Sequence, residues 1–198
     1  MHRILTSIVL VMMMMGCDSE NASDAEKPAE AEKSPEAPKP SEAEIPPQAA
    51  KTLDVEKVFE EGAAAFDRAD YPTALYLWRP LAEGGLAPAQ INLGNIYLHG
   101  NGVVPNDAEA AKWFALAAEQ GDVKAQNNLG VMYANGKGVP QDIVQAYKWF
   151  SIGASKSAAS DQPKDRIEAA QNRDLAASQM TPEQIADGQK LAGEWKPK

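Results

Sequence analysis

The chain has 198 residues, 44% of them hydrophobic, and a formal net charge of −9 at pH 7. That acidic balance argues against a nucleic-acid binder, whose footprint is a basic stripe. A single cysteine, Cys17, and two histidines, His2 and His99, exclude an internal disulfide framework and supply metal chemistry poorly, so neither a metal nor a cofactor is expected.

Met1 to Arg3 is short and carries one positive charge, and Ile4 to Met15 is an almost uninterrupted apolar run. The run is too short for a transmembrane helix, which needs about 20 apolar residues, and suits the hydrophobic core of a secretory signal. It stops at Met14-Met15-Gly16-Cys17. This string resembles the bacterial lipobox, with Met14 where leucine is commoner. The resemblance implies a signal peptide over residues 1–16 and acyl chains, palmitate among them, on Cys17. It places the protein in the bacterial cell envelope, lipid-anchored and facing the periplasm. A cleaved signal with an ordinary cysteine and an uncleaved anchor are the other readings of the same residues. Asp18 resembles the inner-membrane retention signal of enterobacterial lipoproteins, a rule that is not general to bacteria, so both membranes stay open.

Residues 17–52 are read as the lipidated cysteine followed by a disordered tether rich in Ala, Glu and Pro. Pro28, Pro35, Pro38, Pro40, Pro46 and Pro47 block helix propagation. With no aromatic residue and almost nothing large and apolar, the segment has no core to offset its ordering entropy. A coil of about 35 residues spans roughly 30 Å, enough to hold a folded domain off a bilayer.

Helical periodicity starts near Leu53. Val55, Val58, Phe59, Gly62 and Phe66 share one face, Asp70-Tyr71-Pro72 forms a turn with proline at a helix start, and Ala74, Trp78 and Leu81 line a second helix that ends at Gly84-Gly85. Thereafter the sequence repeats. Ala89-Gln90, Leu93-Gly94, Tyr97, Gly100, Gly102 and Trp113-Phe114 return as Ala125-Gln126, Leu129-Gly130, Tyr133, Gly136, Gly138 and Trp149-Phe150, a step of 36 residues (94 + 36 = 130). A period of this length marks stacked helix pairs. Gly94 and Gly130 are read as points of close helix approach, and Tyr97, Trp113, Tyr133 and Trp149 as filling between layers. The string Ala125, Leu129-Gly130, Tyr133, Gly136, Gly138-Val139-Pro140, Asp142, Ala146, Trp149-Phe150 resembles the Sel-one-like repeat, a relative of the tetratricopeptide repeat with a longer inter-helix turn. The first unit, with its short turn, resembles a plain tetratricopeptide unit.

The resemblance covers about Val55 to Ser155. It implies an all-α fold, a short right-handed α-solenoid of antiparallel helix pairs: a tetratricopeptide-like pair over 53–88, Sel-one-like repeats over 89–124 and 125–160, and C-terminal capping helices over 161–198. In that last segment, Pro163 to Gln179 reads as a polar helix with Ile167, Ala170, Asp174 and Leu175 on one face. Thr181-Pro182-Glu183-Gln184 is a capping-box start, and Trp195 is expected to pack back on the last helices.

No catalytic constellation emerges. Gly100-Asn101-Gly102 and Gly136-Lys137-Gly138 lack the Ser or Thr that follows a P-loop lysine, and His99 has no nucleophile or orienting partner at a recognisable spacing. In stacked helix pairs the first helices line the concave face. Phe59, Ile91, Asn95, His99, Asn127, Val131 and Asn135 are therefore the candidate partner-binding residues, with asparagine able to donate to and accept from an extended backbone. The expectation is a non-enzymatic, membrane-anchored adaptor that binds a protein or peptide of the cell envelope, and neither nucleic acid nor metal. A cell-wall or β-lactam-type hydrolase is the alternative.

Overall fold

The computed structural model describes residues 54–155 and 163–198; the expected signal peptide, Cys17 and the tether lie outside them. Among the described residues there are eight helices and no strand: α1 (Val55–Asp67), α2 (Tyr71–Glu83), α3 (Ala87–His99), α4 (Asp107–Glu119), α5 (Val123–Asn135), α6 (Ile143–Ala154), α7 (Pro163–Ala177) and α8 (Pro182–Glu194). The all-α solenoid expected from the sequence is what the chain forms: each helix packs on the next from α1 to α7.

Side-chain caps set most helix starts. The carboxylate of Asp70 accepts from Thr73 N, Asn106 Oδ1 from Glu109 N, Asp122 Oδ1 from Ala125 N, and Asp142 Oδ1 from both Val144 N and Gln145 N. Thr181 and Gln184 form a reciprocal capping box. Each such cap contributes about 1 kcal/mol. Asp122 and Pro88 explain why α5 and α3 begin two residues before the repeated Ala-Gln pair: the cap starts α5 at the buried Val123, and the early proline starts α3 at Ala87. Gly100 (φ 71°) and Gly136 (φ 65°) close α3 and α5 in the left-handed conformation, which glycine adopts without a Cβ penalty.

Within each pair, a glycine of the first helix lies under an aromatic ring of the second. A Cβ on Gly62 would overlap the Trp78 ring. One on Gly94 would lie 2.6 Å from Phe114, and one on Gly130 2.5 Å from Phe150. Trp78 thus does in the first unit what phenylalanine does in the other two. The repeated Trp-Phe dipeptide divides its work. The phenylalanine closes its own pair, while Trp113 joins Ala65, Trp78 and Ala82 of the preceding unit in one core cluster. Trp149 does the same one repeat later, against Ile91, Ala110, Ala117 and Ala118. Gly130→Ala is expected to destabilise the array by about 1–3 kcal/mol through overpacking, and Gly130→Ala with Phe150→Leu to recover part of that loss. Equal denaturation midpoints for Gly130→Ala and the wild type would refute the close approach.

The long turns lie against the preceding unit. A Cβ on Gly102 would meet Tyr71 Cβ at 2.5 Å, and one on Gly138 would run into the backbone of Asp107 and Ala108. Both partners are one repeat apart (71 + 36 = 107). Asn106 N bonds to Tyr97 O and Asp142 N to Tyr133 O, so the turns return to their own first helix in the same way. These glycines serve packing. The repeated glutamines have a separate role: Gln90 Nε2 donates to Ala82 O at 2.9 Å and Gln126 Nε2 to Ala118 O at 3.1 Å. Each ties the start of one unit to a last-turn carbonyl of the helix before it, which also accepts from the turn glycine, Gly85 N or Gly121 N.

The C-terminal segment differs from the expectation in two respects. α7 packs on α6 and α5, but through Ala169 and Ala176, which are buried, while Ile167 and Leu175 are 59% and 60% exposed. The reason is steric: Ala169 faces Gly153 of α6, where an added Cβ would lie 3.3 Å away, and only small side chains allow that approach. α8 packs on α6, with Gly188 against the Tyr147 ring. Beyond α8 the chain does not fold back on the last helices alone. Trp195 sits edge-on to Trp149, with ring centroids 6.3 Å apart, and Lys198 reaches the end of α4. There its amide donates to Glu119 O at 2.9 Å and its ammonium to Glu119 Oε2 at 2.7 Å.

Candidate partner-binding surface

The first helices α1, α3 and α5 place the candidate residues in three different environments. Phe59 is half-buried. Its ring lies 5.8 Å from that of Trp78, and its carbonyl accepts from Trp78 Nε1 at 3.0 Å, so most of its contact area serves the first pair. Ile91 is 7% exposed and belongs to the central core; it is not part of a surface. Asn127 is 6% exposed. Its Nδ2 donates to Glu168 Oε1 at 2.9 Å and its Oδ1 accepts from Asn172 Nδ2 at 2.8 Å. Both partners belong to α7, which occupies the place the next first helix would take. The amide expected to greet a partner is satisfied within the chain.

The remaining positions stay open. Asn95 is half-buried, and His99, Val131 and Asn135 are exposed. Asn135 Nδ2 donates to Val131 O at 2.8 Å, leaving its carbonyl oxygen toward solvent. The available strip is thus narrower than the sequence suggests and runs over α3 and α5 alone. On the other side of the array, Lys148 lies 4.4 Å above the Trp149 ring. Burial holds its ammonium below the usual lysine range, partly countered by the charge of Glu119. Among the described residues no three His, Cys, Asp or Glu side chains are grouped to hold a metal.

Asn127→Ala is expected to destabilise the array by about 1–3 kcal/mol, because Glu168 and Asn172 lose a shared buried partner. Hydrogen exchange should show the loss concentrated in α7. A uniform change across α1 to α6 would contradict the contact.

Two stretches, residues 87–122 and 123–157, match the family model described as the Sel1 repeat, and their edges coincide with the starts of α3 and α5. A crystal structure of a Sel1 repeat protein from Oxalobacter formigenes is 31% identical to the chain, with a TM-score of 0.50; the match covers 60% of this chain and 89% of that one. The chain belongs to the Sel1 repeat family. A second solved structure, a protective antigen present in uropathogenic Escherichia coli strains and displaying an SLR fold, is 30% identical with a TM-score of 0.65. That match covers 75% of this chain but 31% of the antigen, so the chain spans about a third of that protein's length. No curated protein matches the chain. Arrays of Sel1 repeats are typically non-enzymatic scaffolds that act in protein–protein interaction.

Two features escaped the sequence reading. The glutamines were visible as part of the period, but nothing local said that their amides cap a neighbouring helix. The folding back of Trp195 was expected, but its seat against Trp149 of α6 and that of Lys198 on α4 had no periodic signal.

Proposed function

We propose that the chain is a protein-binding scaffold of the bacterial cell envelope, held at a membrane by an acylated Cys17 and presenting its first-helix strip to an extended segment of a partner protein. One observation carries the binding part. Along α3 and α5 packing residues recur between copies, Leu93 as Leu129, Gly94 as Gly130 and Tyr97 as Tyr133, whereas at the accessible positions Asn95 stands against Val131 and His99 against Asn135; the buried pairs Ile91/Asn127 and Ile96/Met132 differ as well. Identical residues maintain the stack; the ones free to vary in an accessible strip are those that can discriminate partners. The anchoring part rests on the lipobox-like string ending at Cys17, since acylation contributes about 0.8 kcal/mol per buried methylene.

A photo-crosslinking residue in place of Val131 or His99 should give a single stoichiometric protein adduct in intact cells, and none in place of Lys112, which is exposed on α4. Adducts from Lys112 alone would put the binding face elsewhere. Cys17→Ser should abolish incorporation of a palmitate analogue and release the array from the membrane fraction. A mutant that still takes the label ends the anchoring reading.

A further inference from the structure

The chain's own C-terminus shows what one of its inter-repeat grooves binds. Trp195-Lys196-Pro197-Lys198 crosses the boundary between the second and third units. Its indole stands edge-on to Trp149. An added Cβ on Gly121 would lie 3.8 Å from the Trp195 ring and 3.9 Å from Pro197. Lys198 holds Glu119 by backbone and side chain, at 2.9 and 2.7 Å.

A step of 36 residues toward the N-terminus carries the three residues that touch the tail, Glu119, Gly121 and Trp149, to Glu83, Gly85 and Trp113 at the boundary between the first and second units, and the adjoining Ala118 and Gln126 to Ala82 and Gln90. The geometry repeats as well. Gly85 and Gly121 share φ 94°, and Gln90 bonds to Ala82 O as Gln126 bonds to Ala118 O. Here the five residues line an open groove of about 440 Å³, completed by Leu116, Glu119, Gln120 and the end of Lys198. Trp113 Nε1 is buried and has no acceptor among the described residues, so the groove wall carries an uncompensated donor. Glu83 is exposed at the rim, where its counterpart Glu119 takes a lysine.

We infer that this groove is a second peptide-docking site, for an extended partner segment in which an aromatic residue is followed by proline and lysine, the pattern of Trp195 to Lys198. The aromatic residue packs edge-on to Trp113, the proline covers Gly85, and the lysine pairs with Glu83. Two things favour a partner's segment as the occupant. The walls repeat those that already hold such a segment, and Lys198 borders both sites, so a docked peptide continues the line of the C-terminus. The site lies on α2, α3 and α4 away from the first-helix strip, so it stands or falls independently of the proposed function.

The test is a titration of the full-length chain with the synthetic peptide Gly-Glu-Trp-Lys-Pro-Lys, followed through the indole N–H resonances of Trp113 and Trp149. The expected result is saturable movement of the Trp113 signal with the Trp149 signal unmoved. Alanine in place of the peptide tryptophan should weaken binding at least tenfold, and Glu83→Gln on the protein about fivefold. Circular dichroism of Glu83→Gln should be unchanged, as suits an exposed residue. Movement of Trp149 alone would mean that the peptide only displaces the chain's own tail, and would overturn the inference. So would a Trp113 signal that moves with protein concentration in the absence of peptide, because the occupant would then be a second copy.

Discussion

Gly138→Ala should cost the array about 3 kcal/mol or more and lower its melting temperature by roughly 10 °C. Two penalties combine. Gly138 has φ 69°, a conformation that costs an L side chain about 1–2 kcal/mol. Its missing Cβ would also run into the backbone of Asp107 and Ala108 in the preceding unit, with Ala108 N only 2.7 Å away. A flexible side chain could yield to such an intrusion; a helix N-terminus held by the Asn106 cap cannot move without loosening the contact between repeats. Gly193→Ala is the matched control, since nothing lies within 4 Å of its Cβ position inside α8. There alanine should be neutral or stabilising by about 0.5–1 kcal/mol. Thermal denaturation followed by circular dichroism compares the two, and equal stabilities would refute the tight turn-to-helix contact.

Trp149→Ala has an expected effect of about 3–5 kcal/mol. Trp149 is 6% exposed, joins the core of the second unit, lies under the Lys148 ammonium and meets Trp195 edge-on. Truncation opens the boundary between the two Sel1 repeats and removes the edge-on aromatic contact, itself worth about 0.5–1.5 kcal/mol. The tail should then leave α4. Proteolysis within Trp195 to Lys198 should accelerate, and the Lys148 ammonium, rehydrated, should titrate closer to an ordinary lysine. Trp195→Ala should free the tail with a much smaller loss of stability. A Trp149→Ala protein within about 1 kcal/mol of wild type in urea denaturation would show that the boundary does not depend on this ring.

These two residues also illustrate what could be read from the chain. Gly138 and Trp149 both repeat at the 36-residue step, so their importance was visible; their partners were not. A glycine in a turn signals left-handed backbone, but only the packed array reveals that Gly138 needs its missing Cβ because of Asp107. The candidate partner-binding residues divide on the same principle. His99, Val131 and Asn135 are exposed on their helices as the helical register predicts. Ile91 is core because it is buried in one apolar cluster with Ala110, Ala111 and Phe114 of α4. Asn127 is taken by Glu168 and Asn172, which lie 41 and 45 residues further along the chain.

Sequence alone determined the helix pairs, the period, the Thr181 capping box and the close helix approach at Gly94 and Gly130. All of these depend on backbone preference or on neighbours separated by one turn of the repeat, and a repeated contact leaves a repeated residue. The tertiary structure decided the ends and the surfaces: which face of α7 is buried, which first-helix positions stay open, and where the last four residues lie. Those outcomes depend on contacts made once, such as Lys198 with Glu119 across 79 residues, and on whether a small side chain permits close approach. A single contact has no period, and a small residue no hydrophobic signature, so only the assembled array could decide between the faces.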